Sequence, residues 1–141
     1  MSGLPTQLRL EVATPLGRAL DIVSDSVQVP GSAGELGVLP GHLPMLAATK
    51  PGILKYREGG QMKYAALGAG YAEADASNVR LIAEYFVAQG DIKLDQAKQD
   101  LATAQQTLKE FTGEVGDAEH VDAMRSLEWA QARVDLAGGR N

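Results

Sequence analysis

The sequence predicts two structural parts, an N-terminal all-strand domain followed by a C-terminal antiparallel α-helical hairpin. All six prolines and 12 of the 16 glycines lie at or before Gly90. Apolar residues alternate with a period of two before that point, and they recur every three or four residues after it. Proline and glycine mark turns between short strands, and their absence permits long helices. We therefore predict a β-domain over residues 1–89 and a helical hairpin over residues 90–141.

Short strands follow one another through the first part. Leu8, Leu10 and Val12 alternate with more polar residues, which places them on one face of a strand. After a turn at residues 15–17, the alternation continues over residues 20–29. Two further turns are predicted, at residues 58–60, where glycine accepts a positive φ, and at residues 75–78. They separate the pairs of strands 53–57 and 62–67, and 71–74 and 79–86. This spacing is typical of an antiparallel sandwich or barrel.

Two helical stripes occupy the second part. Residues at helical spacing form the first stripe: Leu94, Ala97, Leu101, Ala104, Leu108 and Phe111. The second stripe contains Ala123, Leu127, Ala130, Val134 and Ala137, and Val121, Met124 and Trp129 widen it. Gly113 is predicted to end the first helix in the left-handed conformation, and Asp117 to cap the second. Because half of the facing positions are alanine, the seam is weak, and we expect the hairpin to rest docked on the β-domain.

Composition excludes several kinds of site. The absence of cysteine removes disulfides, thiolate metal sites and cysteine nucleophiles. A formal net charge of -5 gives no general attraction to nucleic acid or anionic lipid. Only two histidines are present, so we expect no metal site. No stretch approaches the ~18 consecutive apolar residues of a membrane span, so membrane association is expected only through partners.

The glycine-rich run at residues 31–44 does not match a phosphate-binding loop. Such a loop needs Lys followed by Ser or Thr after its last glycine, and His42 stands there instead. The segment at residues 68–73 lacks the third glycine of a dinucleotide fingerprint, and we interpret it as a strand where two backbones approach closely. Glu35 and His42 could form an acid–base pair, but no nucleophile or metal-ligand cluster accompanies them. We favour a surface loop over catalysis, and a protein-binding role is intermediate between the two.

The run GSAGELGVLPGHLP at residues 31–44, followed by KPG at residues 50–52, closely resembles the epsilon subunit of the F-type (rotary) ATP synthase. In that family a Gly-x-x-Gly-Glu-aliphatic-Gly segment precedes Pro-Gly-His-x-Pro and then Lys-Pro-Gly. Thr14-Pro15 and the segments 68–73 and 79–83 are similar as well, so the resemblance spans nearly the whole chain. It implies a ten-stranded antiparallel β-sandwich followed by a helical hairpin.

The resemblance also implies a rotor part that performs no bond chemistry. Such a subunit lies beside the gamma subunit and on the ring of c subunits, and it helps to transmit rotation from the proton-driven ring to the alpha/beta hexamer. The implied interface residues toward the c ring or gamma are Glu35, Gly37, Pro40, Gly41, His42 and Pro44, of which Glu35 and His42 lie in the loop region facing the c ring. The implied location is the cytoplasmic side of a bacterial plasma membrane, peripheral and held through partners, with a thylakoid membrane as the alternative. The lack of a transit segment favours a bacterial source.

In this family the hairpin either folds against the sandwich or extends along gamma into the hexamer, where it blocks ATP hydrolysis. Many bacterial members bind ATP with an (Ile/Leu)-Asp-x-x-Arg-Ala motif in the first helix. The matching stretch here is LDQAKQ at residues 94–99, in which Lys98 and Gln99 replace Arg and Ala. Lysine lacks the planar fork of arginine, which argues against nucleotide binding, and no cofactor is expected. The candidate nucleotide-binding residues are Asp95, Lys98 and Arg125.

Two alternatives belong to other functional classes. A stand-alone adaptor would bind a partner groove with its helical hairpin, and it predicts an apolar stripe exposed on the helices. An acid–base enzyme would use Glu35 and His42, and it predicts a pocket between them. The six bases and ten acids of residues 91–141 weaken attraction to acidic groups on the hexamer, so the strength of inhibition stays open.

Overall fold

The computed structural model describes residues 5–139, and these form ten β-strands, a 3₁₀ turn and two α-helices. The strands are β1 (Leu8–Thr14), β2 (Gly17–Ser24), β3 (Val27–Gly31), β4 (Gly34–Val38), β5 (Met45–Thr49), β6 (Gly52–Glu58), β7 (Gln61–Leu67), β8 (Gly70–Ala74), β9 (Asn78–Ala83) and β10 (Phe86–Ala88). A 3₁₀ turn at Gln89–Asp91 leads into α1 (Leu94–Lys109) and α2 (Ala118–Ala137). The predicted fold class, a β-sandwich followed by a helical hairpin, is confirmed.

The strands form one continuous hydrogen-bonded sheet that folds into two layers. One layer contains β10, β7, β6, β3 and β4, and the other contains β5, β8, β9, β1 and β2. The sheet passes from one layer to the other where β3 meets β5, at the residue pair Gly31 and Thr49. Neighbouring strands are antiparallel except β1 and β9, which run parallel. The expectation of a purely antiparallel sandwich is therefore wrong at this pair, and the long crossover that parallel strands need is supplied by the seven strands between them.

Leucine and valine side chains fill the space between the two layers. Leu8, Leu10 and Val12 point inward from β1, as their alternation predicts, and each is at most 1% exposed. Similar residues from the other strands complete the core: Val27, Val29, Val38, Leu54, Leu67, Val79 and Leu81. Full burial of one such side chain contributes about 1.5–3 kcal/mol, so this core is the main source of stability.

The predicted turns at residues 58–60 and 75–78 are confirmed, whereas the strand predicted over residues 79–86 is interrupted. β9 ends at Ala83 on β8, and β10 begins at Phe86 on β7, in the other layer. The chain crosses between layers here, and the N–H of Gly68 donates to the carbonyl oxygen of Tyr85 at 2.8 Å. A Cβ at Gly68 would meet the Tyr85 nitrogen at 2.8 Å, so the predicted close approach of two backbones is confirmed.

The helical hairpin is docked on the sandwich through α2. Alanines of the two predicted stripes are buried where the helices meet: Ala97 and Ala104 of α1, and Ala123 and Ala130 of α2. α2 also packs on β6 and β7, where Leu136 is fully buried and its carbonyl oxygen accepts a 3.1 Å hydrogen bond from Gln89. No helix among residues 5–139 is both long and apolar enough to cross a membrane.

The loop between the helices differs from the prediction in two details. Gly113 does not adopt the left-handed conformation; α1 ends four residues earlier, at Lys109, and the Phe111 ring lies against Gly113, where a Cβ would meet it at 2.7 Å. Gly116, with φ +96, takes the left-handed conformation instead. Asp117 does precede α2 as predicted, but its carboxylate accepts from the Glu114 N–H at 3.1 Å rather than capping the helix.

Candidate functional site

The structure separates Glu35 from His42, although the sequence suggested that they share one loop. Glu35 lies near the start of β4, opposite Pro30, with its carboxylate 3.7 Å from the Lys55 ammonium. His42 lies in the loop beyond the far end of β4. The three residue steps from Glu35 to Val38 alone cover about 10 Å of extended strand. The shared loop is therefore an incorrect expectation, and the cleft that Glu35 lines does not include His42, contrary to the acid–base hypothesis.

The loop at residues 39–44 is a rigid tip at one end of the sandwich. Pro40 and Gly41, the latter with φ +85, occupy the centre of a turn closed by the His42 N–H and the Leu39 carbonyl oxygen at 3.1 Å. Proline followed by a glycine of positive φ is typical of a type II turn. The Gly41 N–H donates to the Ala76 carbonyl oxygen at 2.8 Å, which fixes this loop to the turn between β8 and β9.

The loop at residues 39–44 and the adjoining turn at residues 75–78 together form the tip, and both carry features suited to a partner. Leu39 and Leu43 are 60% and 80% exposed, so two large apolar side chains flank the turn. In the neighbouring turn, Asp75 Oδ1 accepts from the Ser77 N–H at 2.9 Å. That hydrogen bond holds the pKa of Asp75 below its usual range, so the carboxylate stays ionised in weak acid. The tip thus combines two exposed leucines with a carboxylate that hydrogen bonds hold in place.

Gly37 and Pro44 complete the candidate interface set. Gly37 is exposed in β4, and no atom lies within 4 Å of the position its Cβ would occupy. Pro44 is exposed at the end of the tip, just before β5. Of the six candidates, Pro40, Gly41, His42 and Pro44 therefore lie together at the tip. Gly37 lies further back along β4, and Glu35 lies at the opposite end of that strand.

A second exposed surface, on the outer face of the β5–β8–β9–β1–β2 layer, was not predicted from the sequence. Cross-strand pairing aligns Ala48, Tyr71, Ile82 and Ala13 into one row, which we call the apolar row. Tyr71 and Ile82 are 60% and 56% exposed. Their signal is present in the sequence, since both fall where the alternation of β8 and β9 calls for polar residues. Large apolar side chains at such positions mark a binding face.

A charged row lies beside the apolar row. Its members, in cross-strand order, are Leu46, Glu73, Arg80, Glu11 and Asp21. At one end, Arg9 binds Asp21 through two hydrogen bonds of 3.0 and 3.1 Å, and Arg18 Nη1 lies 3.0 Å from Asp21. The bond from Arg9 lowers the pKa of Asp21, and the same pair raises the pKa of Arg9. The charges here compensate one another, so the apolar row is the part of this face suited to apolar contact with a partner.

The three nucleotide-binding candidates do not form one site. Asp95 and Lys98 are exposed in the first two turns of α1. Arg125 lies on α2, 3.8 Å from Glu84 of the sandwich. The ion pair between Asp100 and Arg133 sets the two helices in register, so Arg125 is about 20 Å further along the hairpin than Asp95 at 1.5 Å per residue. In this docked arrangement, the three side chains are spread along the hairpin rather than gathered at one level.

Comparison with known proteins identifies the family of this chain. Residues 7–89 match the family described as the ATP synthase delta/epsilon chain, β-sandwich domain. The ATP synthase epsilon chain 2 of Syntrophotalea carbinolica is 36% identical over 132 residues, covering 94% of each chain. The chain belongs to the epsilon-chain family of ATP synthases. The epsilon chain of Synechococcus sp. strain WH7803 is also 36% identical, over 92% of this chain and 96% of its own.

Solved structures of epsilon-like folds agree in architecture. A chain in the Euglena gracilis mitochondrial ATP synthase, in its OSCP/F1/c-ring assembly, has a TM-score of 0.77 at 20% identity over 93% of this chain and 81% of its own. A chain in the Tetrahymena thermophila central stalk and c ring has a TM-score of 0.57 at 12% identity, covering 97% of both chains. At these identities the likeness concerns the fold, and it spans the sandwich and the hairpin together.

The epsilon-chain fold does not expose the apolar helical stripe that the adaptor alternative requires. Four of the five stripe alanines are buried, and Ala137, Leu101, Leu108, Leu127 and Val134 are half-buried. Val121 and Met124, predicted to widen the apolar face of α2, are 38% and 36% exposed. These two side chains do not form a continuous groove-binding stripe, so the structure favours the sandwich surfaces over the hairpin as the partner-binding part.

Proposed function

We propose that this epsilon chain is a non-catalytic rotor subunit of the central stalk in a proton-translocating F-type ATP synthase. In this role it couples rotation of the c ring, through gamma, to ATP synthesis in the alpha/beta hexamer. The observation that carries the proposal is that the sandwich presents two separate binding surfaces, the tip at one end and the apolar row on one face. A subunit held between two neighbours needs two such surfaces, and the family membership supplies the neighbours.

The apolar row is the proposed surface for gamma. Tyr71 and Ile82 of this row are more than half exposed, and Leu46, at the end of the charged row beside it, extends the patch on the same sheet layer. Burying large apolar side chains is the main favourable term of association, while loss of motion on binding reduces the net affinity. The patch lies on the layer that does not carry α2, and Arg125 of the docked α2 borders the same cleft as Tyr71 and Ile82.

The tip is the proposed surface for the c ring. Leu39, His42 and Leu43 project from a loop that two hydrogen bonds hold in shape, so little ordering is needed on binding. Since no described helix spans a membrane, the chain would sit at the membrane only through this contact. The proposed location is peripheral, on the cytoplasmic side of a bacterial inner membrane or on the equivalent side of a thylakoid.

The hairpin is the proposed regulatory part. It is docked through α2, and the fully buried residues of the α1–α2 seam are alanines, whose burial yields far less free energy than that of leucine. A partner that binds the extended helices could therefore compete with docking. End to end, the 16 and 20 residues of α1 and α2 would reach about 54 Å, enough to enter the alpha/beta hexamer and block hydrolysis. The regulation proposed here does not require a bound nucleotide.

Two charge insertions test the assignment of surfaces. Ile82→Glu should weaken binding to purified gamma at least tenfold while leaving binding to isolated c ring unchanged. Leu43→Glu should do the reverse. Met62→Glu is the matched control, because Met62 is 42% exposed on the opposite layer and lies in neither surface. Binding of gamma that survives both Ile82→Glu and Tyr71→Glu would contradict the assignment, and so would a monomeric chain in the presence of gamma.

Truncation tests the division at residues 1–89 and 90–141. A chain ending at Gly90 should keep the strand signal in circular dichroism, because the core residues all come from β1–β10. Reconstituted into the complex, it should still couple proton transport to ATP synthesis, while the ATP hydrolysis rate should rise. Loss of strand structure would show that the hairpin is part of one folding unit. An unchanged hydrolysis rate would exclude the regulatory role.

A further inference from the structure

The hairpin meets the sandwich at Trp129, the single tryptophan of the chain. Its ring stacks on Tyr85 with 5.0 Å between ring centroids and 24° between planes. Tyr85 lies in the crossing between β9 and β10, where its carbonyl oxygen accepts the 2.8 Å hydrogen bond from Gly68. Stacked aromatic pairs add to the free energy of burial alone. Trp129 is therefore held against a fixed point of the sandwich.

Arg133, one turn further along α2, connects the same indole to α1. Its guanidinium carbon lies 5.2 Å from the Trp129 ring centroid, within the range of a cation–π contact. Its Nη2 donates to Asp100 Oδ2 at 3.0 Å, and the Arg133 side chain is only 14% exposed. Gln96 orients the Asp100 carboxylate through a 2.8 Å hydrogen bond to its other oxygen. A shielded ion pair of this kind holds the helices together more strongly than a fully exposed one.

These contacts form one chain of neighbours, from Tyr85 of the sandwich through Trp129 and Arg133 of α2 to Asp100 of α1. We infer that Trp129 and Arg133 make undocking of the hairpin and separation of its two helices a single cooperative event. The Arg133 guanidinium is positioned by the indole on one side and by Asp100 on the other. If the indole is removed, the guanidinium is held less firmly against Asp100, and if Asp100 is removed, it is held less firmly against the indole. Such coupling is reciprocal.

The inference deepens the proposed regulatory role. When the hairpin extends, α1 and α2 separate from each other at the same time as α2 leaves the sandwich. The coupling excludes a state in which α1 has separated while α2 is still docked. The remaining seam supports this consequence, since its buried members are alanines that hold the helices weakly without the Asp100–Arg133 pair. Only this statement about how the hairpin extends rests on the proposed function. The coupling itself is a property of the isolated chain, so it can fail without affecting the rotor role.

The experiment uses the full-length chain, which has no native cysteine to interfere with labelling. One pair of fluorophores on cysteines replacing the exposed residues Gln61 and Gln131 reports the distance between sandwich and α2. A second pair at the exposed residues Gln105 and Glu119 reports the distance between α1 and α2. Energy transfer is measured for both pairs along a urea series. Without further substitution, we expect both distances to change at the same urea concentration.

Two substitutions act on opposite ends of the chain of neighbours. Asp100→Asn removes the link to α1, and Tyr85→Ala removes the stack with the sandwich. Each should move both transitions to lower urea, by about 0.5 M, and the double variant should shift them by less than the sum of the two single shifts. Asp122→Asn is the matched control, because it removes an exposed carboxylate of the hairpin, beyond the first turn of α2, that has no ion pair among residues 5–139. It should move neither transition appreciably.

The opposite pattern would overturn the inference. If Asp100→Asn moves only the α1–α2 transition and Tyr85→Ala only the sandwich–α2 transition, docking and helix pairing are independent. Additive shifts in the double variant lead to the same conclusion. Arg133→Lys provides a second route, because lysine keeps the charge but loses the planar group that faces both the indole and the carboxylate. It should also move both transitions, and a shift confined to one of them would count against the coupling.

Discussion

The sandwich and the hairpin are built from different side chains and are held by free energies of different size. Among residues 5–139, the largest fully buried side chains are eleven leucines and valines, and ten of them lie in the sandwich. The eleventh, Leu136, lies in α2. The other buried residues of the hairpin are alanines. A leucine buries several more methylene-sized groups than an alanine, at about 0.8 kcal/mol for each.

This difference separates a permanent body from a detachable part. The sandwich interior is closed on both sides by sheet layers, so none of its core can be exposed without unfolding. The hairpin buries one large side chain against the sandwich and otherwise relies on close alanine packing and the contacts of Trp129 and Arg133. The difference suits the proposed function, in which a rigid body transmits torque and a regulatory arm leaves it at modest cost.

The largest effect on stability is expected from removing a core leucine of the sandwich. Leu81→Ala should lower the free energy of unfolding of the whole chain by about 3–4 kcal/mol, because Leu81 is completely buried and the layers cannot collapse around the cavity. Urea denaturation followed by circular dichroism measures this loss. A loss below about 1 kcal/mol would mean that the core tolerates the cavity and that the body is less rigid than described.

Leu136→Ala makes the same chemical change in the hairpin and should have a different consequence. We expect docking to weaken by about 2–3 kcal/mol while the sandwich stays folded, since α2 can shift to fill the space. Trp129 fluorescence, which reports the stack with Tyr85, should show a transition at lower urea than the strand signal. If both signals still change together, the hairpin and sandwich are one cooperative unit and the distinction between them fails.

A smaller effect is expected from overpacking the alanine seam. Ala104→Leu should destabilise the docked hairpin by about 1–2 kcal/mol, because the buried alanines leave no room for added methylene groups. Ala102→Leu, at an exposed position of the same helix, is the control and should be close to neutral. The urea midpoint of energy transfer between labels on α1 and α2 measures both. A stabilising Ala104→Leu would show that the seam is loosely packed rather than tight.

The smallest effect is expected from acid. The amide of Gln96 and the guanidinium of Arg133 hold the pKa of Asp100 below its ordinary value of 3.8. The contribution of Asp100 to docking is therefore complete above the ordinary value, and it disappears as the pH falls through the lowered one. For a half-exposed pair we expect less than about 1 kcal/mol. Trp129 fluorescence between pH 6 and pH 2.5 should show this step in the unaltered chain, and Asp100→Asn should lack it.

The sequence was most informative where one residue type satisfies a local requirement. The alternation of Leu8, Leu10 and Val12 identified the inward face of β1 because side chains of a strand point alternately to its two faces. Gly59 and Gly60 identified a hairpin turn, and both adopt positive φ. The helical stripes likewise predicted four of the buried alanines, although Ala137 is half-buried and the buried Ala132 lies outside both stripes. Family resemblance added the partners, and comparison with relatives confirmed the family.

The sequence was misleading where position depends on residues far along the chain. The sequence places Glu35 and His42 in one loop because they are close along the chain, but β4 extends between them and carries them apart. The strand predicted over residues 79–86 is divided, because β9 pairs with β8 in one layer and β10 pairs with β7 in the other. Gly113 is predicted to cap α1, yet the neighbouring Phe111 ring packs against it. Pairing with distant strands decided the first two conformations, and a local ring contact decided the third.

The sequence alone determined the two-part architecture, the core faces of the strands and the weak seam of the hairpin, because each follows from apolar period and residue size. Only the tertiary structure decided which exposed side chains form a surface. Tyr71 and Ile82 become neighbours of Ala13 through the parallel pairing of β1 with β9, which no local pattern encodes. The contacts from Tyr85 to Asp100 likewise arise from docking. Surfaces and couplings are properties of side chains brought together from separate strands and helices, so they exist only once the chain has folded.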